Sequence, residues 1–155
     1  MVTSSNVRTV SAATACELAD VSESRHLKWM HEGIVSRPAR KGEYALKETL
    51  ELAVAAHLAR WLKRLSWVRM AMSDLAPGMD SLPEAGPLAV VWERRYKKCQ
   101  WAEGDQALAD FARRHIWTMT LDMRTTIDDV AAAFARHVNA KQGRPNLKVV
   151  VGRKE

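Results

Sequence analysis

The chain has 155 residues, enough to bury a real core, and 47% of them are hydrophobic, which excludes a disordered chain. Its formal charge of +6 favours an acidic partner, nucleic acid before membrane. Two cysteines, Cys16 and Cys99, are too few for a disulfide framework, and no apolar run approaches the ~18 residues that a membrane helix needs.

Residues 1–9 are polar and Ser/Thr-rich, with no apolar run after a basic start. A flexible arm on a cytoplasmic protein is expected. Residues 12–19 then read as a short helix capped by Ser11, with Ala12, Ala15, Cys16 and Ala19 keeping one face small. Cys16 is expected as a small buried hydrophobe. Residues 22–32 read as a second helix with both ends marked. Ser22 is the N-cap, and Gly33 follows the end, where it can turn left-handed without a Cβ penalty. Arg25 and Lys28 make a basic face one turn apart, while Leu27, Met30 and Ile34 fall at the spacing of an apolar face. Trp29 is expected to pack in the core. Two such helices joined by a short turn make a helix-turn-helix, and a basic helix of this length suits a DNA major groove.

The order Cys16, Leu18, Val21-Ser22, Ser24, Trp29 and Gly33-Ile34 resembles the MerR-like and excisionase-like group of winged helix-turn-helix domains. His26 stands where that group is usually apolar, and Ala19 replaces a larger residue. Residues 36–44, with Arg37, Pro38, Arg40, Lys41, Gly42 and Tyr44, lie where the group carries a basic wing, here with the make-up of a small β-hairpin. The resemblance covers residues 10–75. It implies a sequence-specific DNA-binding transcriptional regulator of bacterial or phage type, with recognition helix 22–32 in the major groove and wing 36–44 on the backbone or minor groove. The DNA contacts it implies are Ser22, Ser24, Arg25, Lys28, Arg37, Arg40, Lys41 and Tyr44. A homodimer on double-stranded DNA is expected, because one short helix and wing give little affinity alone.

Residues 45–65 form a strong helical pattern through Leu46, Leu50, Val54, Leu58, Trp61 and Leu65. Its basic residues Arg60, Lys63 and Arg64 come late, which suits the helix dipole. A bend or break is expected before a following helix 67–75, with one helix of about thirty residues as the alternative. Residues 76–87 hold three prolines and two glycines and are expected to be a linker.

Beyond them the order reads β-β-α-β-α-β over residues 88–152, a small α+β dimerisation or partner-binding domain. The strands are expected at 88–93, 96–101, 116–123 and 147–151, with Gly143 and Pro145 ending the last helix. Arg94 to Lys98 form a second basic run. The fold class is therefore α+β, with a helical winged helix-turn-helix first. No histidine, cysteine and carboxylate group has metal-ligand spacing, and no nucleophile or acid–base constellation or phosphate-cradling loop appears, so neither cofactor nor enzymatic activity is expected. The second functional class that fits is an antitoxin or adaptor whose C-terminal half binds a protein and whose N-terminal half autoregulates.

Overall fold

The computed structural model describes residues 8–82, 88–93, 98–114 and 118–151. Most of the expected arm, the end of the expected linker and four residues of the second basic run lie outside the described residues.

The class is α+β. Helix α1 (Ala12–Leu18) starts where the Ser11 hydroxyl accepts the Thr14 N–H. It ends in a Schellman turn: Val21 N–H donates to Cys16 O and Asp20 N–H to Glu17 O, with Asp20 left-handed at φ 56°. Asp tolerates that conformation better than most residues. Its carboxylate accepts from Arg60 at 2.7 Å, which ties the turn to the next long helix. Helix α2 (Glu23–His31) repeats the device. Ser22 accepts the Arg25 N–H, and past the end Ile34 N–H returns to Trp29 O around Gly33 at φ 70°.

The expected hairpin wing is instead a tight turn. Glu43 N–H donates to Arg40 O, and Gly42 takes a positive φ, as the third residue of a type II turn requires. Two isolated bridges form here, Arg40 with Glu43 and Val10 with Tyr44. Pro38 has no N–H to donate, so a ladder does not extend through it.

Helix α3 (Leu46–Trp61) begins with the Glu48 carboxylate accepting the Ala45 N–H. Residues 49–56 are all buried, so α3 is enclosed on every side, as its weak amphipathicity requires. The expected break follows at Leu62 and Arg64, both extended, before α4 (Leu65–Leu75) and a 3-10 turn (Ala76–Ser81).

Strands β1 (Leu88–Glu93), β2 (Lys98–Glu103) and β3 (Thr118–Asp122) form an antiparallel sheet in the order β2-β1-β3. Helix α5 (Asp105–Arg114) joins β2 to β3. Helix α4 lies against β2: the Asp74 carboxylate accepts the Cys99 N–H, and Trp101 Nε1 donates to Leu75 O. The Trp101 ring crosses directly over Gly78, where a Cβ would meet it at 2.5 Å.

Helix α6 (Arg124–Val151) differs from expectation. Residues 147–151 continue it and do not form a fourth strand. A short apolar run is ambiguous between strand and helix. A helix already running gains one hydrogen bond for each non-proline residue added, so residues 147–151 extend α6 although Gly143 and Pro145 lie within it and Pro145 donates no bond.

The core does not divide at residues 76–87. One buried cluster joins Cys16, Trp29, Leu52 and Leu58 to Trp92, Leu121, Met123 and Ile127. A second sets Phe134 and Val138 of α6 against Val10, Ala15 and Tyr44. Helix α1 therefore rests on α3 and α6 together. The expected separation of residues 10–75 from residues 88–152 meets a continuous interior. None of the described helices is long and apolar enough to cross a membrane.

Candidate nucleic-acid interface

At about 100° per residue, the side chains of α2 sort into two opposed faces. His26, Trp29 and the half-buried Met30 point inward, while Ser24, Leu27, Lys28 and His31 point outward. Leu27, expected inside, stands outside at 62% exposure. The stripe that α2 buries passes through His26 and Trp29, and Leu27 lies on the opposite side. Arg25 and Lys28 are separated by about 60° around the axis, as neighbours one turn apart. Lys28 belongs to the outward face. Arg25 lies on the flank, its guanidinium 5.8 Å from the Trp29 ring centre.

That flank borders a cleft of about 570 Å³ between α2 and the α3–α4 break. Its lining combines Ser22, Ser24, Arg25, Lys28 and Lys63 with an apolar floor of Trp29, Leu62 and Val68. Lys63 is not among the contacts expected from the sequence. There it stands near the end of a helix, where a dipole accounts for it. Only the break after α3 turns it toward α2.

On the turn, Arg37, Arg40 and Lys41 are exposed, as are Ser22 and Ser24 on the helix. Lys28 is 4.0 Å from Glu32, and Arg40 is 3.8 Å from Glu43. These are loose surface pairs of small energetic worth, which a phosphate can displace. The base of the turn is fixed more firmly. The buried Glu51 carboxylate accepts from both the Ser36 N–H and the Ser36 hydroxyl, at 2.8 and 3.0 Å.

Tyr44 is the one expected contact that the structure removes from the surface, at 4% exposure. Its bridge to Val10 turns the ring inward against His26, edge to face at 5.3 Å. The His26 Nε2 lies 3.4 Å from the Tyr44 hydroxyl, and His26 Nδ1 lies 3.4 Å from Cys16 Sγ. The Tyr44 hydroxyl in turn donates to Met30 Sδ. One set of directions satisfies every group: Cys16 S–H donates to Nδ1, and Nε2–H donates to the Tyr44 oxygen. A neutral His26 is thus accommodated in the interior because each nitrogen has a partner. The three side chains join α1, α2 and the end of the turn.

Burial pushes the His26 pKa down from its ordinary 6.5, against a smaller upward pull from Glu23. It pushes the Cys16 thiol and the Tyr44 phenol up. His57 is also lowered, by burial and then by Arg60. A histidine with a lowered folded pKa contributes its full stability above the unfolded value. That contribution is lost as pH falls through the folded value, because the unfolded chain takes up the proton first. Unfolding free energy should therefore fall as pH drops below about 6.5, the unperturbed value for histidine. Chemical denaturation between pH 7.5 and 5 measures it. His26→Gln should flatten the slope over that window, and an unchanged slope would show that His26 is not the titrating group.

Among the described residues, no group of three or more histidines, cysteines and carboxylates is placed to hold a metal ion. Compared with protein-family models and with curated proteins, the chain gives no match.

Proposed function

We propose that the protein is a sequence-specific DNA-binding regulator in which α2 enters the major groove and the turn at residues 37–43 lies on the adjoining backbone. The observation that carries this reading is the outward face of α2. It is a helix capped by Ser22 that presents Ser24, Lys28 and His31 to solvent, while a separate turn exposes Arg37, Arg40 and Lys41. A major groove admits one helix, and helix and turn together supply both base-edge donors and phosphate neutralisation. In this reading Lys28 reaches base edges, with Ser24 and His31 beside it. Arg25, Lys63, Arg37, Arg40 and Lys41 hold phosphates. Two copies act on two half-sites.

The two groups of cations should fail differently. Lys28→Ala should cost about 1–3 kcal/mol on the preferred site and narrow the gap to random DNA. Arg40→Ala or Lys41→Ala should weaken binding to every sequence and lower the salt slope by about one for each phosphate no longer neutralised. The test first selects bound sequences from a random duplex pool with the full chain. Each variant is then titrated on selected and scrambled duplexes at several salt concentrations. A palindromic selected site supports the pairing of two copies. Failure to enrich any sequence would sink the regulator reading.

A further inference from the structure

We infer that Leu27 is the apolar reader of α2, packing on the 5-methyl group of a thymine, so that each preferred half-site carries a thymine opposite it. This inference rests on the DNA-binding reading above and adds to it the chemistry of one base.

A lone exposed leucine is ordinary on a protein surface. This one is distinguished by its place. It stands at 62% exposure on the face formed by Ser24, Lys28 and His31, one turn after Ser24 and one turn before His31. Those three neighbours all carry polar, hydrogen-bonding groups, so Leu27 is a single apolar knob in a polar strip. The other exposed large apolar side chains among the described residues, Trp61 and Met70, lie on α3 and α4. A surface built for a protein partner is usually a contiguous apolar patch with a polar rim. A major-groove edge has the opposite pattern: donors and acceptors throughout, with the thymine methyl as its apolar group. A strip of serine, lysine and histidine with one leucine matches that pattern. The capped backbone of α2 fixes the knob at a defined distance from Lys28, so the thymine should fall at a fixed offset from the base pair that Lys28 contacts.

The experiment uses the full chain and a duplex selected by it from a random pool. Each thymine is replaced in turn by deoxyuridine, which removes the methyl group and leaves every hydrogen-bonding atom in place. One replacement in each half-site should weaken binding of the unmodified protein by about 3- to 5-fold, the worth of one buried methyl group. The same replacement should have no effect on Leu27→Ala, whose own selected pool should lose the thymine at that position. Circular dichroism of Leu27→Ala should match the parent, because the side chain supports no packing.

Two results overturn the inference while leaving DNA binding intact: a selected site in which no deoxyuridine changes affinity, or a penalty that persists undiminished in Leu27→Ala. A variant that keeps its site preference but loses self-association assigns Leu27 to a protein interface and also overturns it. A pool from which nothing is enriched overturns the DNA-binding reading itself.

Discussion

A chain ended at Leu82 is expected not to fold cooperatively. The piece contains both candidate DNA-binding helices, the basic turn, α3 and α4, yet it lacks the far wall of its own core. Leu121, Met123, Ile127, Val130, Phe134 and Val138 are all buried. Most of them complete the cluster around α3, and Phe134 and Val138 close over Tyr44. At about 1.5–3 kcal/mol for each such side chain, the loss is comparable with the roughly 5–15 kcal/mol that holds a domain together. Far-UV circular dichroism on heating checks it. Residual helix that melts without a sigmoidal transition is the expected result. A sharp transition close to that of the whole chain would mean that residues 10–75 are self-sufficient. Proteolysis within residues 83–87 of the intact protein should likewise leave two fragments that stay associated until denatured.

Trp29→Ala should destabilise the protein by about 3–5 kcal/mol, the range for deleting a large aromatic from a core. Trp29 is 3% exposed and lies where α2 meets the α3–α4 break, with the cleft on one side and Arg25 over its ring. Little nearby can collapse into the space, because α2 is pinned at both ends by its caps. Trp29→Phe keeps most of the apolar packing and should lose less. Denaturant titration with fitted midpoints measures both. A cost below about 1 kcal/mol for the alanine variant is within the range of a surface substitution and would show that the ring is not buried as described.

What is legible in the sequence is chemistry local to a few residues. Ser11, Ser22 and Gly33 mark the helix ends because capping depends on groups two or three positions apart. The break after α3 is legible for the same kind of reason. What stays hidden depends on distant partners. The inward turn of His26 needs Cys16 ten residues before it and Tyr44 eighteen after, and no pattern within α2 announces either. Leu27 reads as inward because it is apolar, yet the buried stripe is chosen by what α1 and α3 offer, and that stripe passes through a histidine. Tyr44 reads with the basic residues beside it, whereas its pairing with Val10 takes it away from them. The packing of Trp92 and Leu121 into the same cluster as Leu52 and Leu58 is obscured by the prolines and glycines at residues 76–87. Such residues favour turns, but they do not decide whether the segments on either side pack together.

The enclosure of α3 also bears on how the protein is made. A chain emerges from the ribosome amino end first, and its early segments attempt to fold as they appear. Here α3 is complete at Trp61, but Phe134 and Val138 belong to a helix that is made much later. For about 75 further residues, several seconds at ordinary elongation rates, the surface that α6 will cover stays open to water or to a chaperone. Translation that stops before Val138 yields a sticky, incompletely folded product and not a shorter working protein.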